Sequence, residues 1–320
     1  MLKERIYLKI LFVIIGAFFT TTLAYSYYFS KHYPLPITNR ISLDAKLQFI
    51  RTHINPDEID TLVIGSSLAL NNIQGKYLEE ASQKCKKVLN LSVFGTSPVQ
   101  MEQLLLLTDA FPNLERIIYS TQFTDFGHAS KFKTFDANFI KKYIRNELNP
   151  FKDMQVLLDG CKDLSFCIER QKGWLKKHGQ NNKFEFLGFD HTGSAPLHIY
   201  GEDILQKRWT KTDGDLQNPE AYAALYRMAK LANEKNIKFY LVQQPYRKAM
   251  VDKYKHLQSI MTIFPKRMTK TMKETGGEYL NLYEKLKLDD SYFADRSHLN
   301  DKGSILTAKE IARFIDSVEQ

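Results

Sequence analysis

Three cysteines among 320 residues are too few to staple a disulfide scaffold, so a hydrophobic core must hold this chain together. Glycine and proline are sparse, at 15 and 10 residues, and there is no internal repeat or low-complexity tract, which argues against a collagen-like or linker-dominated chain. No zinc-finger spacing, RNP-like motif or dense arginine stripe is present, so nucleic acid is not an expected partner. Neither a phosphate-binding Gly-rich loop nor a dinucleotide fingerprint occurs, and no cofactor is expected. His128, His191 and His198, even with Asp190, match no zinc spacing and read as surface histidines rather than metal ligands.

What is there is globular in kind: 43% hydrophobic and 25% charged residues, enough for one large domain or two small ones. A net charge of +9 suits attraction to anionic surfaces such as phospholipid headgroups or an acidic polymer, and equally suits a solvated, mildly basic surface. Cys161 and Cys167 are close enough to pair in an oxidising compartment, or to remain two free thiols; Cys85 stands alone.

The longest apolar run lies at the N-terminus. Ile10 to Phe29 carries no charged side chain and, as a helix, measures about 30 Å, enough to cross a bilayer. Lys3, Arg5 and Lys9 before it predict that this end stays in the cytoplasm, and Tyr25, Tyr27 and Tyr28 fall where an interfacial aromatic belt belongs. A cleaved signal peptide ending near Thr22 and Ala24 is the competing reading, but the run is long for one, and a retained anchor is the stronger reading. Either way the remainder is exported. The anchor is taken as residues 1–30, a Pro-containing tether as 31–45, and the globular domain as 46–320.

Within that domain short apolar runs alternate with helical patterns. Thr61–Ile64, Lys87–Leu91, Arg116–Tyr119, Ile237–Val242 and Tyr279–Tyr283 read as strands, and Pro98–Ala110, Pro219–Asn233 and Ile305–Val318 as helices. Strands apolar on both sides and separated by helices predict a doubly wound α/β fold with a parallel sheet. Residues from about 128 to 215 break the rhythm and are expected to form an inserted cap over the sheet's carboxyl edge.

Two short motifs bracket this pattern. Gly65-Ser66-Ser67-Leu68 follows the first strand, where open α/β sheets build their sites, and the next helix is expected near Asn71 and Asn72. Asp295-Arg296-Ser297-His298 follows the last strand, with Asp301 as the expected N-cap of the final helix. Each alone is an ordinary turn. Together they supply a hydroxyl, an imidazole to take its proton and a carboxylate to orient that imidazole, in the order Ser…Asp…His.

These motifs resemble those of SGNH/GDSL hydrolases. Gly65-Ser66-Ser67-Leu68 is similar to the Gly-Asp-Ser-Leu block, with Ser67 at the nucleophile and Ser66 in place of Asp, and Asp295-x-x-His298 is similar to the closing block. Asn90-Leu91-Ser92-Val93-Phe94-Gly95 matches the block whose glycine helps form the oxyanion hole, which implies that role for Gly95. The third block departs: Thr121-Gln122-Phe123-Thr124-Asp125 stands where Gly-x-Asn-Asp is usual, leaving the Thr124 hydroxyl or the Gln122 side chain to replace the missing Asn amide. The resemblance implies a flavodoxin-like three-layer sandwich and serine-dependent ester chemistry. A membrane helix before such a domain resembles polysaccharide O-acetyltransferases of the alginate-acetylation type and the teichoic-acid D-alanylation protein. It implies a surface polysaccharide as acceptor and a membrane-bound O-acyltransferase as acyl supplier. A non-catalytic member of a polysaccharide-export complex and a membrane-associated lipase are the alternatives. Ser66, Tyr246 and Arg247 are expected to meet substrate, Arg247 through an anionic group. Phe123, Trp209 and Tyr246 are candidate platforms for sugar rings.

Overall fold

The computed structural model describes residues 2–177, 187–198 and 218–320. In chain order it contains α1 (Leu2–His32), α2 (Ile41–His53), β1 (Thr61–Gly65), α3 (Ser67–Asn72), α4 (Gly75–Ala81), β2 (Val88–Asn90) and α5 (Pro98–Leu105). These are followed by β3 (Arg116–Thr121), α6 (Ala137–Ile144), α7 (Pro150–Gly160), α8 (Leu164–Lys177), α9 (Pro219–Glu234), β4 (Lys238–Gln243) and α10 (Lys248–Lys253). The chain ends in α11 (Lys255–Thr275), β5 (Glu278–Asn281), α12 (Leu282–Leu286) and α13 (Asp301–Val318).

The five strands form one parallel sheet in the order β2-β1-β3-β4-β5. Side chains alternate across it. Leu62, Ile64, Ile117, Tyr119, Phe239 and Leu241 enter a core with residues of α2, α5, α9 and α11. Val63, Ile118, Tyr240 and Val242 enter a second core with α4 and α13. Both faces are therefore covered, which is why the strands are apolar on both sides. All five expected strands are present within a residue or two at most ends. The helix expected over 98–110 stops at Leu105 and continues as a 3-10 turn over Thr108–Ala110.

Two segments differ from expectation. The tether is not a loose strap: Pro34, Leu35 and Pro36 are buried, the Thr38 N–H and hydroxyl both donate to Asp44 Oδ1 (2.8 and 2.7 Å), and Asp44 Oδ2 accepts from Arg170 (2.6 Å). Its prolines and Leu35 fill a seam between the end of α1 and the insert. In the insert, α6 packs on α2, and α7 runs beside α1 from Phe151, whose ring lies 5.9 Å from that of Phe19, to Gly160, which leaves no room for a side chain against Pro36. Cys161 and Cys167 form a disulfide between α7 and α8. A buried ion pair, Arg51 to Asp153 at 2.9 and 3.0 Å, ties α7 to α2. These helices thus lie against the N-terminal segments rather than over the sheet's carboxyl edge. Residues 178–186 and 199–217 of the expected cap, with Trp209, lie outside the described residues.

Residues 187–198 return along the outer edge strand, where Asn90 N–H donates to Thr192 O (2.7 Å). Lys46 is fully buried and donates to Asn90 O (2.8 Å) and Gly193 O, which seals that edge to α2.

Candidate active site

In the order 2-1-3-4-5 the connections leave β1 and β3 toward opposite sides of the sheet, which opens a crevice at their carboxyl ends. Gly65 ends β1 with φ +152°, and a side chain there would collide with the Ser120 carbonyl of β3. Glycine lets the two strands stay paired to their tips. Ser66 then caps α3, its hydroxyl accepting from Leu68 N–H (3.3 Å). The helix begins at Ser67 rather than near Asn71 and Asn72, and so Ser67 occupies the first turn, half-buried at the crevice.

His298 comes from a tight loop closed by a bridge between Phe293 and Leu299. Asp295 folds this loop on itself: Oδ1 accepts the N–H groups of Ser297 (2.9 Å) and His298 (2.7 Å), which leaves Oδ2 for the imidazole. Oδ2 lies 2.8 Å from His298 Nδ1, and His298 Nε2 lies 2.9 Å from Ser67 Oγ. With the proton on Nδ1 donated to Asp295, Nε2 is left to accept from the serine hydroxyl. Asp295 is nearly fully buried. Burial pushes its carboxyl up, but the His298 imidazole and the hydrogen bonds from His298 and Ser297 outweigh it and hold it below the usual carboxylate range. It is therefore an anion throughout the neutral range.

The motifs do not announce the groups that hold this loop. Asn72, on α3 with Ser67, donates to Ser297 O (2.9 Å) and accepts from Leu299 N–H (2.8 Å), bracketing His298 on both sides. Gln244 at the end of β4 accepts from Asn72 (3.3 Å) and donates to Ser120 Oγ (2.7 Å). Arg247 N–H donates to Arg296 O (2.9 Å). Serine, base and carboxylate are thus fastened to β1, β3 and β4 at once. The one sequence signal was Asn71-Asn72, a pair of short amides on what is otherwise an apolar helix.

The loop after β2 lies against the tip of β1, because Val93 N–H (3.1 Å) and Thr96 Oγ1 (3.2 Å) both donate to Gly65 O. Gly95 is exposed in this loop, and among the described residues neither its N–H nor that of Ser67 has a protein acceptor. Arg40 braces the loop, donating to Phe94 O (2.5 Å) and Gly95 O (2.7 Å). Reading 31–45 as a tether concealed that role.

After β3, Thr124 is half-buried, whereas Gln122 cannot reach in. Its Nε2 donates to Gln244 O (2.6 Å) and its Oε1 accepts from Phe123 N–H (2.9 Å). Asp125 is turned inward. Its Oδ2 accepts from the hydroxyls of Ser66 (3.0 Å) and Thr121 (2.9 Å) and from Gln122 N–H (3.3 Å), tying β1 to β3 beneath Ser67. Burial pushes its carboxyl up to about 6, against the opposing pull of those donors and of His298.

The three residues expected to meet substrate are engaged otherwise. Ser66 is 4% exposed and spent on Leu68 and Asp125. Tyr246 is 2% exposed and packs on Phe123 at 5.1 Å, itself buried, so neither ring offers a free face to a sugar. Arg247 is paired with Asp290 (2.5 Å) rather than open to an anionic group. Asn300, not Asp301, caps α13, accepting from Gly303 N–H (3.1 Å); Asp301 instead bonds Gln74 (3.0 Å) and His198 (2.9 Å). His191 meets Glu79 at 3.3 Å, and no cluster of three metal-ligating side chains occurs among the described residues.

No protein-family profile matches this chain, and a search of curated proteins finds no match.

Proposed function

We propose that this chain is a serine-dependent acyl-transfer enzyme of the SGNH-hydrolase kind, working on an exported cell-surface polysaccharide. The observation that carries the reading is the continuous hydrogen-bonded chain from Ser67 Oγ through His298 to buried Asp295. In this reading Ser67 Oγ attacks an acyl carbonyl while His298 Nε2 takes its proton, and Asp295 stabilises the imidazolium. The N–H groups of Ser67 and Gly95, with the Thr124 hydroxyl, accept the oxyanion. Collapse expels the leaving oxygen, protonated by His298, and leaves an ester on Ser67. A sugar hydroxyl then repeats the cycle as a transferase acceptor, or water does so as in an esterase.

Export is supported by the apolar α1 behind a basic flank and by the Cys161–Cys167 bridge, which suits an oxidising compartment. On this reading α1 is a single-pass anchor with the domain outside, and the acyl donor is loaded by a membrane-bound O-acyltransferase.

Ser67→Ala should lower turnover of a small nitrophenyl ester by about 10³-fold or more. Undiminished turnover would sink the assignment. The commitment of Gln122 and the inward turn of Asp125 favour one second reading, a non-catalytic fold that binds glycan or the acyltransferase. A fluorophosphonate probe separates the two, because only the enzyme is labelled at Ser67.

A further inference from the structure

Eleven large apolar side chains outside α1 are exposed among the described residues, and six of them (Phe151, Leu158, Leu164, Phe166, Ile168 and Leu175) fall in α7, α8 and the turn between. This is a patch, not the scatter a soluble surface tolerates. Its members recur at helical intervals: Phe151 and Leu158 are seven residues apart on α7, and Leu164, Ile168 and Leu175 are separated by four and seven on α8. Each helix keeps a second face for the protein, Asp153 and Leu157 on α7 and Trp174 on α8 being buried. The disulfide ties the first turns of α8 to the end of α7, so the two helices form one bent unit, the α7–α8 hairpin.

The position of this hairpin along α1 says what covers it. The apolar stretch of α1 opens after Lys9, and Phe19 already touches Phe151. Ile10 to Phe18 is nine residues, about 14 Å of helix. Counted from Ile6, with Lys9 snorkelling to the inner interface, the free length is still only about 20 Å. A hydrocarbon layer is about 30 Å thick. A bilayer crossed by α1 therefore extends past Phe19 to the level of α7, and what α7 exposes there meets acyl chains; α8, whose Arg170 reaches Leu35 O and Asp44, follows at the outer end of that span, where the layer meets its headgroups.

From this geometry we infer that the α7–α8 hairpin is seated in the outer leaflet of the same bilayer that α1 spans. The domain then rests on the membrane at a fixed tilt rather than swinging on a tether. Charge is partly balanced: the exposed Lys162 and Lys172 are paired with Asp159 (3.1 Å) and Glu169 (3.3 Å), while exposed Lys152 and Lys176 have no carboxylate partner among the described residues and can meet lipid headgroups. The inference rests on the anchoring reading of α1 but not on the chemistry at Ser67.

The test uses the full chain in phosphatidylcholine nanodiscs, with bimane on a single added cysteine. Cys85 is buried and the other two native cysteines are bridged, so neither competes for label. Labels at Leu158→Cys and Ile168→Cys should lose most of their fluorescence to nitroxide on the upper acyl chain and resist aqueous iodide. Ile263→Cys, an exposed apolar position on α11, should do the reverse. Val13→Cys, in the free part of α1, reports insertion itself. Quenching at Val13 with iodide-sensitive labels at 158 and 168 overturns the seating alone. No acyl-chain quenching at Val13 overturns the anchor and the seating together. Thermal melts of each variant verify that the exposed substitutions leave the fold intact.

Discussion

At the carboxyl edge of the sheet, neutral hydrogen bonds between residues more than two hundred positions apart hold His298 beside Ser67. In the α6–α8 insert, one disulfide and two buried ion pairs, Arg51–Asp153 and Arg170–Asp44, hold helices that otherwise lean on α1 and α2. The first arrangement shares its load over Asn72, Gln244 and Arg247, so each bond matters more to position than to folding. The second concentrates its load in two ion pairs, so that losing Asp153 should cost folding while Ser67 and His298 stay in place. Geometry and stability are kept in different places.

Asp153→Ala presses hardest on that separation. Arg51 would remain buried, with only Asn146 (3.1 Å) and the Tyr143 ring (4.4 Å) as partners. Removing one member of a buried pair costs about 3–5 kcal/mol. Chemical denaturation should read that loss, while fluorophosphonate labelling of Ser67 in the protein still folded should keep its rate. A slowed rate would mean that the insert and the site are one mechanical unit after all.

Asn72→Ala should give the converse. The Ser297 carbonyl and Leu299 N–H lose their partner, a cost of about 1–3 kcal/mol. The larger consequence is positional. With the loop free to drift, His298 leaves the line of the Ser67 hydroxyl, and labelling and ester turnover should slow by about 10–100-fold. An unchanged rate in a destabilised variant would reduce Asn72 to ordinary packing.

The same division explains what could be read in advance. The strands were legible because a parallel strand buried on both faces is an apolar run wherever it occurs, and the Asp295–His298 contact because both residues are local to one loop. The Asn71-Asn72 pair marks an apolar helix with amides but not what Asn72 does, since its partners lie more than two hundred positions away. Tyr246, Arg247 and Ser66 lie at the expected edge with their side chains engaged by Phe123, Asp290 and Asp125: position after a strand gives the edge, but direction depends on partners across the fold. The segment 31–45 read as a tether because its partners, Arg170 and Gly160, lie in a stretch without strand or helix periodicity clear enough to predict.

Asp125 sits between the two regimes, a half-buried residue whose carboxyl is turned inward at the site and also bears on stability. Its folded value of about 6 lies above the ordinary 3.8, so folding favours the protonated form. Its contribution is therefore fully present below pH 3.8 and is lost as pH rises through about 6. Asp125→Asn carries no titrating proton, and its amide can still accept from Ser66 or Thr121. Relative to that variant, the unmodified chain should lose melting temperature across this window and hold a constant deficit above it. Asp44, also raised to about 6 by burial, is common to both proteins and cancels in the difference. The rate of labelling at Ser67 should move by less than about tenfold, because Asp295 still faces the imidazole directly. A flat difference between the two melting curves would mean that Asp125 is ionised in the folded chain despite its burial. It would then be a second standing negative charge near His298 rather than a neutral clasp beneath Ser67.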